Sequence, residues 1–219
     1  HPALRAAALA DARTMTTAFN LAAAQLDAAG EGIRFEAGAG VDQVNALTGE
    51  LLRINDRLAR SSERAGDFNS LLDQRDALLE RISGHIGIAT SFSADHTVEV
   101  RIGGPTGPVL VGGGMAATLA MATTPGGTIA FTLDGSPLSP ASGALAGQGQ
   151  ALAALADARA ALDGIAADLI VAGNAAQAAG AALDGTPGGP LFTGTGAVDI
   201  ARRLGELSPD ERADLEIDL

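Results

Sequence analysis

The spacing of apolar residues changes twice along this chain, and that change constrains the fold more than any other feature. Residues 3–86 repeat apolar side chains at intervals of three and four, residues 86–142 contain stretches that alternate with a period of two, and residues 143–180 return to the longer spacing. The first pattern is typical of amphipathic helices and the second of half-buried strands. The order predicts a mainly α-helical protein with a small β insertion.

Three helices are predicted before the β insertion, in residues 1–86. The first is alanine-rich, covers residues 3–29 and ends at Gly30, after which "GEGIRFEAGAG" forms a glycine-punctuated connection. The second carries a seam close to an a/d heptad repeat, and the third begins after Asp67 as its N-cap. The packing seams predicted for the second and third helices are Val44, Leu47, Leu51, Ile54 and Leu58, followed by Leu71, Leu78 and Ile82.

The insertion covers residues 87–142 and begins with a predicted β-hairpin whose strands are separated by "SADH". Two further strands are predicted near Val109–Val111 and Thr128–Leu133, between Gly/Pro turns. A long helix in residues 143–182 then completes the helical part. Its predicted seam residues stand seven apart: Leu155, Leu162 and Leu169.

These elements predict an elongated bundle of about four long helices, with the hairpin or a small sheet at one end. The remaining residues, 183–219, are read as a glycine-rich connection and a short acidic helix, a possible start of another domain. That helix begins with a capping box of Ser208, Pro209 and Glu211.

Composition disfavours several classes of partner and of functional site. The chain carries 26 acidic residues against 14 basic ones, a net charge of −12, which disfavours nucleic acid and anionic membrane surfaces as partners. It has no Cys, and its three His are scattered, so disulfides, thiolate sites, zinc sites and catalytic triads are disfavoured. No P-loop or dinucleotide-binding pattern occurs. No catalytic, cofactor-binding or metal-binding residue is predicted, and an enzyme is not expected.

One charged residue in the third helix is out of place. Arg75 has leucine at every position three and four residues away: Leu71, Leu72, Leu78 and Leu79. Its guanidinium must reach solvent or an acceptor on another element. We expect an inter-helix hydrogen bond or ion pair that fixes helix register, with anion binding as the alternative. Asp73 and Asp76 are expected to lie on other faces and to be solvated.

Several of these segments, in this order, resemble the family of the first flagellar hook-associated protein, FlgK. The segment "NALTGELLRINDRLA" is similar to a family segment in which N-x-x-[IL]-x-x-[IL]-N is usual, and "NSLLDQRDALLERIS" resembles the family helix that precedes a hairpin, here "IATSFSADHTVEVRIGG". The Leu- and Ala-rich helix from Gly143 and the passage "ALDGTPGGPLFTGTGAVDI" follow in the family's order. The resemblance implies a central fragment that lacks the family's terminal coiled-coil segments.

The resemblance implies a non-enzymatic structural subunit of the bacterial flagellar hook–filament junction, secreted by type III export and located outside the cell. It implies the hook protein, the neighbouring hook-associated protein and further copies of itself as partners, and an export chaperone that binds through the C-terminal segment absent here. Arg75 would then fix register within the helical rod. Two alternatives stay open: another flagellar axial protein, such as flagellin or the neighbouring hook-associated protein, and a periplasmic four-helix sensor or ligand-binding module.

Overall fold

The computed structural model describes residues 2–61, 66–180 and 185–202. In these residues it contains three helices: α1 (Pro2–Arg60), α2 (Phe68–His85) and α3 (Ala144–Ala179). Nine short strands accompany them: β1 (Ile88–Phe92), β2 (Val98–Ile102), β3 (Val109–Gly112), β4 (Met115–Ala116), β5 (Leu119–Thr123), β6 (Ile129–Leu133), β7 (Ser136–Leu138), β8 (Phe192–Thr193) and β9 (Ala201–Arg202). The protein is mainly helical with small antiparallel sheets, as predicted.

The prediction of about four long helices was wrong. Helix α1 continues through Gly30 and the whole of "GEGIRFEAGAG", so the two helices expected there are one. A glycine destabilises a helix by only about 1 kcal/mol relative to alanine. The burial of apolar side chains of α1 stabilises the helix by more than this. Ala37 and Val41 are buried in the core, and a Cβ on Gly40 would lie 3.1 Å from Leu145 Cδ2. Gly40 therefore permits close packing instead of ending the helix.

The chain divides into two compact units by its contacts. We call residues 29–156 the sheet unit and residues 1–28 with 157–219 the alanine-rich unit. Both α1 and α3 contribute to each. The boundaries predicted from sequence, after residues 86, 142 and 182, follow the order of elements along the chain and remain a prediction about domain organisation.

The sheet unit contains two antiparallel sheets. The first has the order β1-β2-β3-β4 and the second β5-β6-β7. The predicted hairpin is confirmed as β1 and β2, with Thr90 opposite Val100, and the two further predicted strands are confirmed as β3 and β6. One core joins α1 and α2 to the buried faces of the sheets. Its largest fully buried side chains include Leu47, Leu51, Leu58, Leu71, Ile82, Leu110 and Leu119.

The alanine-rich unit has a smaller core of its own. Four alanines pack with Phe192 and Ile200, and the alanines are Ala12, Ala23, Ala166 and Ala197. A Cβ on Gly173 would lie 2.7 Å from the Phe192 ring, so glycine is required there for the ring to rest on α3. The predicted capping box at residues 208–211 lies outside the described residues.

Within the described residues, no helix is both long enough and apolar enough to cross a membrane.

Candidate functional site: helix side chains that hold the β segments

The predicted seam residues of α1 and α2 lie inside the protein, whereas those of α3 are only half-buried. All eight on α1 and α2 are buried in the core of the sheet unit, at most 4% exposed. On α3, Leu162 and Leu169 are half-buried against the alanine-rich core, and Leu155 is half-buried as well. The seam side chains of α1 and α2 therefore stabilise the fold of the chain.

Arg75 lies against the tip of the first hairpin. Its side chain is 11% exposed, and its Nη1 donates to the backbone oxygen of His96 at 2.8 Å. Its Cζ lies 4.6 Å from the centre of the Phe92 ring, which adds a cation–π contact. The acceptor expected from another element thus comes from the β1–β2 turn and not from a helix.

Asp76 is 61% exposed, and it is also a partner of Arg75, so the expectation that it lies on a face away from Arg75 was wrong. The Nε and Nη2 atoms of Arg75 lie 2.9 and 2.8 Å from Asp76 Oδ1. Neighbouring positions on a helix do not face each other, but a long guanidinium side chain can fold back over the next residue. Asp76 compensates part of the Arg75 charge at the edge of the leucine cluster.

The tip of the hairpin has a defined conformation. His96 adopts a left-handed backbone with φ 65°, and its ring meets Phe68 of α2 edge-on at 5.1 Å. Beside it, the hydroxyl and backbone N–H of Thr97 donate to Asp95, and these bonds hold the pKa of Asp95 below its ordinary value of 3.8. Two side chains of α2, Phe68 and Arg75, thus contact a turn that its own hydrogen bonds order.

A second set of polar contacts was missed by the sequence analysis. Three helical asparagines each form a two-bond pair with the backbone of the first residue of a strand. Asn55 accepts from Val98 N at 3.0 Å and donates to Val98 O at 2.8 Å, and Asn45 does the same with Leu119 at 2.9 and 2.8 Å. Asn174 pairs with Phe192 at 2.8 and 3.0 Å. We call these three contacts the amide pairs.

Further polar contacts hold residues 192–200 within the alanine-rich unit. The Asn20 amide nitrogen lies 2.8 Å from Ala197 O, and Asp163 Oδ1 accepts from Ala197 N at 2.7 Å. The backbone N–H groups of Thr195 and Gly196 donate to Asp199 and lower its pKa.

The sequence signal that could have predicted the amide pairs is the position of asparagine inside helices, where asparagine is unfavourable without a partner.

The described residues show no group of three or more side chains suited to binding a metal ion. A cleft of about 290 Å³ lies between α1 and the β1–β4 sheet. Two of its acidic side chains are engaged, because Glu99 pairs with Arg101 at 2.7 Å and Asp95 bonds to Thr97. In the described residues these polar contacts hold β segments against helices and so stabilise the fold itself.

Comparison with known proteins identifies the family of the chain. A family model described as the helical domain of the flagellar hook-associated protein FlgK matches residues 1–192. The chain therefore belongs to the FlgK family.

Among solved structures, the flagellar hook junction protein FlgK from Burkholderia pseudomallei is similar, with a TM-score of 0.74 and 27% sequence identity. The match covers 88% of this chain but only 37% of that protein, so the chain spans little more than a third of its solved relative. No curated protein matches the chain. By their descriptions, the family is one of flagellar hook-associated proteins and this relative is a protein of the flagellar hook junction.

Proposed function

We propose that the full-length protein is a structural subunit of the flagellar hook–filament junction, where it matches hook to filament by subunit packing. The observation that carries this proposal is the family match over residues 1–192, together with a solved relative that is itself a hook junction protein. In this role the protein contacts the hook protein on one side, the neighbouring hook-associated protein on the other, and copies of itself around the junction.

The contacts within the sheet unit support a mechanical role. The hairpin β1–β2 is held by α1 through Asn55 and by α2 through Arg75 and Phe68. Because separate bonds from two helices converge on one hairpin, the surface that it presents keeps its geometry under load. A junction subunit needs such surfaces, since it transmits torque without performing chemistry.

Exposed apolar side chains supply candidate contacts for neighbours. Phe35 on α1 is 79% exposed, and Met115, the first residue of β4, is 71% exposed. Aromatic residues and methionine are enriched at the cores of protein interfaces. Export before folding, with a chaperone bound to the C-terminal segment of the full-length protein, belongs to the same proposal.

The location of the full-length protein tests the proposal. Antibodies raised against residues 29–156 are applied with gold label to flagella still attached to cells. We expect one narrow band where the hook meets the filament. Label along the filament would instead indicate flagellin, label at another single position would indicate another axial protein, and label confined to the periplasm would indicate the sensor module. Each of these three patterns would overturn the junction role.

A further inference from the structure

We propose that Asn45 and Asn55 are positioning residues, each of which takes the place of a missing neighbouring strand and thereby fixes one β sheet on α1. The proposal extends the junction role. It rests on that role only for the reason why a fixed sheet position matters in the cell. The amide pairs themselves are a property of this chain and are tested on it directly.

The chemistry of a primary amide suits this task. A strand neighbour offers one carbonyl acceptor and one N–H donor to the residue opposite, and the asparagine side chain offers the same two groups at a comparable spacing. A carboxylate retains only acceptors, and a leucine of similar size retains neither group. At neutral pH the two bonds of each pair therefore require an amide, since a carboxyl group can donate only when it is protonated.

The position of Val98 in its sheet shows what Asn55 replaces. Thr97 O accepts from Ser93 N, so the alternation of the strand directs the N–H and C=O of Val98 towards the β3 side. The β2–β3 pairing begins only at Val100, opposite Val111, so β3 does not reach Val98. Asn55, which is 8% exposed, occupies the place where the next β3 residue would pair.

Leu119 gives the second, independent case. Strand β5 is the edge of the β5-β6-β7 sheet. Thr118 O accepts from Asp134 N on the β6 side, so the backbone groups of Leu119 face the open edge. Asn45 pairs with both. Buried backbone groups without partners destabilise a fold, and an open sheet edge can pair with a strand of another chain. At Leu119 the Asn45 amide bonds the backbone groups and prevents such pairing.

The spacing of the two asparagines places the sheets. Asn45 and Asn55 are ten residues apart, which corresponds to about 15 Å along a helix. Each sheet is therefore attached to α1 at its own point, through the backbone of one strand. Because these bonds involve the backbone, they position the strand whatever side chains the sheet carries. The orientation of each sheet is therefore set relative to α1.

The test replaces Asn55 by Asp or by Leu in this chain and measures unfolding by urea at pH 7 and at pH 4.5. In Asn55→Asp the carboxylate faces Val98 O, so ionisation is disfavoured and the pKa of the introduced group rises in the folded state. A raised pKa gives stability at low pH that is lost as pH rises through it. We expect the unfolding constant to rise about tenfold at pH 7 relative to the unsubstituted chain, and the rise to be smaller at pH 4.5, which lies closer to the unfolded pKa of aspartic acid of about 3.9.

Asn55→Leu removes both bonds and introduces no titrating group, so its loss of stability relative to the unsubstituted chain should be equal at the two pH values. Asn69→Asp is the matched control, because Asn69 is exposed in the first turn of α2. A carboxylate there is favoured by the helix N-terminus when ionised, so its pH effect should have the opposite sign. If Asn55→Asp does not fold at either pH, Asn45→Asp, at a half-buried site, carries the same test.

Position is measured separately from stability. Residual dipolar couplings of the backbone amides of residues 88–102 report the orientation of the hairpin relative to α1. We expect them to change in Asn55→Leu and to stay unchanged in Asn69→Asp. Equal destabilisation by Asp and Leu at both pH values, or unchanged couplings in Asn55→Leu, would overturn the positioning role. Either result would leave the junction proposal intact, since it depends on location in the cell.

Discussion

At the scale of single residues, Arg75 explains why a permanent charge lies among four leucines. Its guanidinium passes the leucine cluster and reaches the His96 carbonyl, the Phe92 ring and the Asp76 carboxylate. The leucine neighbours exclude water from its aliphatic part, which favours these contacts over solvent. Arg75 is therefore proposed to set the position of the hairpin relative to α2, in place of the register between helices first expected.

Replacing Arg75 by Leu should lower the free energy of unfolding by about 1–2 kcal/mol, since a charge-assisted hydrogen bond and a cation–π contact are lost. Chemical denaturation measures this value, and hydrogen exchange of residues 93–98 should accelerate more than that of α1. Arg81→Leu, at an exposed site on the same helix, is the control and should change stability by less than about 0.5 kcal/mol. Equal effects of the two substitutions would contradict the role given to Arg75.

The sequence identified Arg75 because its anomaly is local: the four leucines stand at fixed helical intervals from it. It could not identify the acceptor, because the place of the hairpin tip depends on tertiary packing. The amide pairs were missed for a related reason. Asn45 and Asn174 are half-buried polar residues that a helical pattern assigns to a solvated face, and their partners lie 74 and 18 residues away.

At the scale of elements, the main surprise is the continuity of α1. Helix-ending signals such as Gly30 are local in the sequence. The apolar contacts that stabilise α1 come from elements far away in sequence, so they cannot be predicted from the local pattern. Five strands were not predicted from the sequence: β4, β5, β7, β8 and β9. They are short or rich in alanine, and Leu119–Thr123 has only two large apolar residues. Their pairing depends on neighbouring strands in the sheets more than on their own pattern.

The glycines of α1 allow a paired test of that explanation. A Cβ on Gly32 would meet nothing within 4 Å, so Gly32→Ala should raise the free energy of unfolding by up to about 1 kcal/mol. Gly40→Ala gains the same helical preference but must displace Leu145, which is fully buried and would lie 3.1 Å from the new carbon. We therefore expect Gly40→Ala to be clearly less stable than Gly32→Ala in thermal or urea unfolding.

Equal gains at Gly32 and Gly40 would mean that Leu145 moves aside freely and that close packing does not explain glycine at position 40. A loss at Gly32 would mean that the helix does not continue through this segment in solution.

At the scale of the whole molecule, the order of elements and the family were predictable from the sequence. The spacing of apolar residues indicates the order of helices and strands, and several segments in the family's order indicate the family. The division into a sheet unit and an alanine-rich unit was not predicted. It follows from contacts between segments far apart in sequence, such as Arg159 Nη1 with Asp27 Oδ1 at 2.6 Å, 132 residues away. Such pairs leave no mark on local periodicity.

The central claim, a structural role at the hook–filament junction, is tested most directly in cells that lack the full-length gene. Electron microscopy of these cells, with an assay for flagellin in the medium, should show hooks without filaments and unpolymerised flagellin outside the cell. Reintroducing the gene should restore filaments. Normal filaments in its absence would contradict the junction role.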